Sequence, residues 1–230
     1  KQAINSFDEL TTWPSSIREK LKKEVEFSTL DHIQDNYSSA GTTIKTEFKT
    51  KDGFAIESVL MQYKDGRNSV CVSCMSGCPV GCEFCATGKM GFNRNLSYRE
   101  IVDQILYFKR MLKKKGKDVT NIVFMGMGEP MLNLDNVKKA IEIINDPEKM
   151  SIGIRRVTIS TVGYVPQMEE FFTDKHKPKL AISLHAPNQN IREKIMPKIS
   201  KLHTMEELFE FVNWYEKNIT KRITYEYTLI

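Results

Sequence analysis

The stretch Cys78-Pro79-Val80-Gly81-Cys82-Glu83-Phe84-Cys85 sets three cysteines at a C-x3-C-x2-C spacing. With Cys71 and Cys74 just before it, it holds every cysteine of the 230-residue chain. Cysteines crowded into one loop point to metal binding in a reducing compartment rather than to a disulfide scaffold. Two metal readings stand. Cys71-x2-Cys74 with Cys82-x2-Cys85 would make a closed four-thiolate zinc site. Alternatively Cys78, Cys82 and Cys85 hold three irons of a [4Fe–4S] cluster and leave the fourth iron open for a ligand. Gly77 and Gly81 give the loop the backbone freedom that wrapping a cluster requires.

Outward from the loop, the chain alternates helix and strand. The strand Ser69–Ser73 leads into it. Ser97 and Glu100 form a capping box that opens a helix to about Lys114. Strands follow at Asn121–Met127, Arg156–Thr161, Lys179–His185 and Ile223–Ile230. Helices lie between them at Asn133–Ile144, at Val165–Phe172, and from Thr204, the start of a second capping box, to Asn218. This order predicts an α/β fold, a parallel sheet with helices outside, open or closed into a barrel. On the N-terminal side, residues 1–40 read as helical, with Ser15 or Ser16 capping a helix through Lys23. Thr42–Thr50 and Phe54–Tyr63 alternate around the Lys51-Asp52-Gly53 turn as a β-hairpin. The expected boundary falls near residues 64–70, between an accessory region (1–65) and a core (66–230).

Forty per cent hydrophobic content supports a sizeable core, and a net charge of +5 permits a nucleic-acid partner without requiring one. No apolar run reaches the length of a membrane span. The chain starts at Lys1 without an initiator methionine and ends in an apolar strand-like run, so it reads as a fragment.

Longer strings of residues narrow the choice. Cys71-Val72-Ser73, Gly77-Cys78 and Phe84-Cys85-Ala86-Thr87-Gly88-Lys89-Met90-Gly91-Phe92-Asn93-Arg94-Asn95-Leu96 occur in that order. Phe124-Met125-Gly126-Met127-Gly128-Glu129-Pro130, Arg156–Thr161 and Leu180–Pro187 follow. Together they resemble the RlmN/Cfr family of RNA adenine methyltransferases, within the radical S-adenosylmethionine (radical SAM) superfamily. The resemblance runs from about Phe7 to Ile230, and Gly91-Phe92, Arg94-Asn95 and Glu129-Pro130 look like its RlmN branch. It implies a partial (β/α)6 barrel lacking its last strand, preceded by the small helical and hairpin region.

The resemblance also implies roles. Cys78, Cys82 and Cys85 would ligate a [4Fe–4S] cluster whose open iron binds S-adenosylmethionine. Gly128 and Glu129 would contact its methionine part, and Ser160, Ser183, Leu184 and His185 would complete the cofactor site. Glu57 resembles a proton acceptor near the target adenine. Cys71 takes the place of a thiol that accepts a proton when a protein–RNA adduct breaks up, and Cys74 has no counterpart. Without the resemblance, a strand-end serine is usually a cap, an exposed strand carboxylate is usually inert, and Gly-x-Gly-Glu is usually a tight turn. Of the other histidines, His32, His176 and His203 read as solvated. Arg94, Arg155, Arg156 and the Lys113–Lys115 run are candidates for holding RNA phosphates.

The implied reaction methylates C2 of adenine in 23S rRNA and beside the anticodon in tRNA. One S-adenosylmethionine methylates a cysteine near the C-terminus. A second yields a 5'-deoxyadenosyl radical that activates the methyl-cysteine for addition to the base. That cysteine is absent here, since none follows Cys85, so the fragment is expected to be inactive alone. The resemblance further implies a cytoplasmic, monomeric enzyme served by flavodoxin or ferredoxin. The alternatives are a Cfr-type C8 methylase and a non-enzymatic zinc-binding RNA module.

Overall fold

The computed structural model describes residues 3–175 and 177–229, so His176 and Ile230 lie outside the described residues. Its strands are β1 (Leu30–Tyr37), β2 (Thr43–Thr50), β3 (Ala55–Gln62), β4 (Asn68–Cys71), β5 (Met75–Gly77), β6 (Phe92–Asn95), β7 (Asn121–Phe124), β8 (Val157–Thr161), β9 (Lys179–Ser183) and β10 (Ile223–Glu226). The helices are α1 (Ser15–Glu24), α2 (Ala86–Lys89), α3 (Tyr98–Lys113), α4 (Leu134–Asn145), α5 (Val165–Thr173), α6 (Gln189–Ile195), α7 (Pro197–Leu202) and α8 (Met205–Ile219).

One sheet runs β1-β2-β3-β4-β7-β8-β9-β10. Its first three pairings are antiparallel and the remaining four parallel. The Lys64-Asp65-Gly66 turn is the tight link between β3 and β4, and the sheet passes straight through it. Helices α3, α4, α5 and α8 cross between successive parallel strands, giving the partial-barrel architecture expected. Both capping boxes form, on α3 through Ser97 and Glu100 and on α8 through Thr204 and Glu207. At α1 the N-cap is Pro14, without a side-chain cap, rather than Ser15 or Ser16.

The helical reading of residues 1–40 fails at Leu30–Tyr37, which is strand β1. Only Leu30 of its eight residues is buried, and a register shift between His32 and Gln34 breaks the alternation. An edge strand with both faces largely wet carries no period-two hydrophobic signal. It is held from outside its own sequence. Asp35 accepts from Thr46 Oγ1 (2.6 Å) and Tyr107 Oη (2.9 Å), and His32 stacks on the Tyr107 ring at 5.0 Å.

Alternation along the paired strands sorts their side chains into two faces. One face carries Ile56, Leu60, Val70, Ile122, Phe124, Val157, Ile159, Leu180 and Ile182, all buried in the main core with apolar residues of the helices. The strand registers align Val59 with Cys71, Cys71 with Val123, Val123 with Thr158, Ser160 with Ala181, and Ser183 with Glu226. The second face therefore collects Glu57, Cys71, Ser160, Ser183 and Glu226. All of them stand toward the C-terminal ends of the parallel strands, the end where such folds gather reactive groups.

Candidate active site

The cysteine loop is held before any metal is considered. The chain leaves β4 at Ser73, whose backbone N–H and C=O both pair with the buried Gln104 amide of α3 (2.8 and 2.9 Å). Strands β5 and β6, which the sequence reading did not anticipate, then pair antiparallel and close the loop's base. Gly77 has φ +73, and a Cβ there would stand 2.0 Å from the Gly91 carbonyl oxygen, so this crossing admits only glycine. The Cys78 N–H donates to that same oxygen at 2.8 Å. From the far side, the Ile195 carbonyl accepts from Glu83 N–H (2.9 Å) and Lys198 Nζ donates to the Pro79 carbonyl (2.9 Å). Val80 and Cys82 bury against Met196 and Ile199, with Cys78 and Cys85 packed on the same cluster.

The three thiols share one apolar pocket. Burial, and then proximity to Cys78 and Cys85, pushes Cys82 up to about 12. Burial likewise raises Cys78, with Glu129 and Cys85 adding to it. Cys74 belongs elsewhere, being fully enclosed in the main core. Cys71, at the end of β4, is pushed up to about 11 by burial.

The strand ends oppose the loop. Gly126 and Gly128 follow β7, and each lies against the chain itself. A Cβ on Gly126 would stand 2.7 Å from Val72 O and Ser73 Oγ, and one on Gly128 (φ +98) would stand 2.5 Å from the Met75 side chain. Glu129 is buried, and its carboxylate accepts from Met131 N–H (3.0 Å) and Val162 N–H (2.9 Å), clamping the end of β7 to the end of β8. Burial pushes it up to about 7.

Ser160 and Ser183 both donate to Glu226 Oε2, at 2.7 and 2.9 Å. The Glu226 carbonyl accepts from Leu184 and His185 N–H (3.2 and 3.1 Å). His185 has the left-handed φ of +56, uncommon for a non-glycine residue. Its Nδ1 accepts from Thr228 N–H at 3.1 Å, which places the ring proton on Nε2, and burial lowers its pKa. Its imidazole packs against Phe84 of the cysteine loop, with centroids 4.7 Å apart. Glu57 is half-exposed on β3 and paired with Lys45 Nζ at 2.7 Å, while its backbone carbonyl accepts from Ser73 Oγ.

Cys78, Cys82, Cys85, Gly128, Glu129, Ser160, Ser183, Leu184 and His185 thus surround one end of the fold, with Glu57 and Cys71 at its edge. The sequence model of the Radical SAM superfamily matches residues 72–230. The chain belongs to the radical SAM superfamily. A radical SAM methyltransferase from Sphaerobacter thermophilus, known from its crystal structure, superposes with a TM-score of 0.95 at 40% identity, covering all of this chain and 67% of that one. The probable dual-specificity RNA methyltransferase RlmN of Dictyoglomus thermophilum is 42% identical over 230 residues, and that of Spiroplasma citri 43% over 227. The chain spans about 65% of the length of these curated relatives.

Membership implies a [4Fe–4S] cluster and S-adenosylmethionine, and the residues present fit them. Among the described residues, no three or more His, Cys, Asp or Glu side chains converge as the ligands of a single ion. A four-thiolate zinc site would have to join Cys74 to Cys82 and Cys85, yet Cys74 packs in the main core while Cys82 and Cys85 pack around the separate cluster of Val80, Met196 and Ile199. A cubane takes each thiolate on a different iron, so its ligands stand further apart around a shared pocket. Beside that pocket lies a fully buried guanidinium, Arg192, whose Nε has no hydrogen-bond partner.

The basic candidates are placed differently from their expected use. Arg94 faces the loop side but is spent in ion pairs with Asp52 (2.5 Å) and Glu100 (2.7 Å). Arg155 and Arg156 precede β8, and Lys113–Lys115 close α3, so both sets lie at the opposite end of the strands from the cysteine loop. There Arg155 lines a cleft of about 650 Å³ with Lys179, Lys221 and Arg222. Two residues of the site escaped the sequence reading, Glu226 and Arg192. Only the isolated carboxylate between Tyr225 and Tyr227 in the last strand could have signalled the first. Nothing local marks the second, because its helix was not anticipated.

Proposed function

We propose that this chain is the catalytic core of an RNA adenine-C2 methyltransferase acting on 23S rRNA and tRNA. Its relatives' names support the RNA substrates. The observation that carries the reading is the approach of the cysteine loop to the strand ends through Phe84 and His185.

In this reading Cys78, Cys82 and Cys85 hold the cluster. Bound there, the cluster and S-adenosylmethionine supply one-electron chemistry, which an aromatic carbon that is not nucleophilic requires. The thiols must lose their protons on binding iron, so their burial makes assembly proton-linked. Gly128 shapes the turn after β7, and Glu129 presents a carboxylate of tunable charge beside the cofactor's amino acid part. Ser160 and Ser183 hold hydroxyls beside Glu226, where a ribose would meet them. Leu184 and His185 form the wall between that group and the loop. Cys71 and Glu57 lie on the same face of neighbouring strands, two residues apart in register, and in this reading they hold or move a proton at sulfur and at carboxylate. To accept a proton Cys71 must first lose its own, a step that burial of the thiol opposes in the free protein.

No cysteine follows Cys85 in these 230 residues, so the methyl-carrying thiol of the reaction is not among them. The full reaction would also need an electron donor such as flavodoxin or ferredoxin, and we place it in the cytoplasm as a monomer. Among the described residues, no helix is long and apolar enough to cross a membrane.

Anaerobic iron and sulfide analysis tests the reading. About four irons per chain, as a cubane requires, together with S-adenosylmethionine binding by calorimetry, is the expected result. A colourless protein with one zinc would overturn it. With the complete enzyme, mass spectrometry of the modified adenine separates C2 from C8 methylation.

A further inference from the structure

Arg192 on α6 is completely buried and has no carboxylate partner. None of the ion pairs among the described residues includes it. One terminal guanidinium nitrogen donates to the Val162 carbonyl, and Nε donates to nothing. A charge taken out of water without a counter-charge is costly. Helix α6 also reaches the cysteine loop directly, since Ile195, one turn on, accepts from Glu83 N–H. Cys82 packs in the apolar cluster that follows that helix, close enough that a thiolate there would interact with the Arg192 charge.

A lone buried cation beside a ligand sulfur needs a negative partner of some kind. The thiol trio becomes that partner once it carries a metal cluster. A [4Fe–4S] cluster held by thiolates is net negative and becomes more so on reduction. We propose that Arg192 is a positioning residue for the cluster. Its charge offsets that of the cluster and favours the reduced form, while its hydrogen bond to Val162 fixes the end of β8 beside the loop. Gly163, next to that carbonyl, holds φ +104, a conformation that favours glycine, and the guanidinium packs beside it. A Cβ there would crowd Leu208 at 3.1 Å and make only ordinary contact with Arg192 at 3.6 Å. The proposal rests on the cluster assignment above and adds a specific electrostatic partner to it.

The test uses the anaerobically reconstituted protein and follows reduction by electron paramagnetic resonance at fixed solution potentials. Arg192→Gln keeps a donor for Val162 and removes the charge. Arg192→Met removes both, and Arg192→Lys restores the charge. At equal iron content, the ratio of reduced to oxidised cluster should fall about tenfold in the Gln and Met variants, the order that one nearby unit charge exerts in a protein interior. Lys should recover most of it. The metal-free Met variant should melt no lower than the wild type, because it exchanges an uncompensated buried charge for an apolar side chain. Unchanged reduction in whichever neutral variant folds, with iron fully bound, overturns the proposal. So does a fall in the Met variant alone, which would leave Arg192 only its hydrogen bond. A wild-type protein that takes up no iron instead overturns the cluster assignment.

Discussion

The Phe84 ring meets the His185 imidazole edge-on, with centroids 4.7 Å apart and planes inclined at 67°. One ring comes from the cysteine loop and the other from the end of β9, so this contact joins the two halves of the site. An aromatic pair of this geometry contributes about 1 kcal/mol beyond its buried area. His185 also holds a left-handed backbone that costs about 1 kcal/mol, so it depends on such contacts. We expect Phe84→Ala to weaken S-adenosylmethionine binding by about tenfold, while Phe84→Tyr stays near wild type. Calorimetric titration of the iron-loaded proteins checks this.

The cysteines divide by the cluster they pack in, Cys78, Cys82 and Cys85 around one pocket and Cys74 in the main core. Cys82→Ala should abolish iron uptake, whereas Cys74→Ala should leave the iron content unchanged and cost about 1 kcal/mol of stability from a small core cavity. Iron analysis with chemical denaturation separates the two effects. Equal iron loss in both variants would contradict the division.

Glu226 accepts two hydroxyls on one oxygen. Glu226→Gln replaces a charged acceptor by a weaker one and should cost about 1–2 kcal/mol in S-adenosylmethionine affinity. The backbone contacts of Leu184 and His185 to residue 226 do not involve its side chain, so the melting temperature should change little. A large loss of stability without a loss of affinity would make Glu226 a structural brace.

The sequence was most legible where local and tertiary signals agree. The capping boxes of α3 and α8 and the parallel strands β7, β8 and β9 follow from periodicity and cap chemistry, which act within a few residues. The cysteine triplet and its glycine hinges were legible because their spacing is itself the geometry. Strand β1 was not, since an edge strand with one buried residue is stabilised by Tyr107 and Thr46, far away in sequence. Gly-x-Gly-Glu read by itself as a tight turn, and the missing Cβ atoms of Gly126 and Gly128 make room for Val72, Ser73 and Met75, neighbours that no local pattern names. Arg94 read as a phosphate contact because its partner Asp52 sits 42 residues away, beyond any local pattern.

Glu129 predicts a pH dependence. Burial raises its folded pKa to about 7 from the model-peptide value near 4.5. A carboxyl raised in the folded state favours folding while protonated. Its stabilising contribution is fully present below about pH 4.5 and is lost as pH rises through 7. The span corresponds to about 3 kcal/mol. Melting of the iron-free protein should therefore show a loss of stability between these limits that Glu129→Gln removes. A Gln variant with the same pH profile as wild type would show that other groups set it.

Arg94 links the hairpin to the core. It donates to Asp52 in the β2–β3 turn and to Glu100 in the first turn of α3, where Glu100 also completes the capping box with Ser97. Asp52 is half-exposed and screened, so its share is small. Glu100 is largely buried, and leaving it unpaired carries most of the cost. Arg94→Ala should lower stability by about 2 kcal/mol. Since the N–H edges of the guanidinium are already engaged by the Asp52 and Glu100 carboxylates, the salt dependence of RNA affinity should keep its slope. A phosphate-binding arginine would instead reduce that slope by about one on removal. RNA binding measured across a salt series, beside denaturation of the same variant, distinguishes the clasp from the phosphate contact.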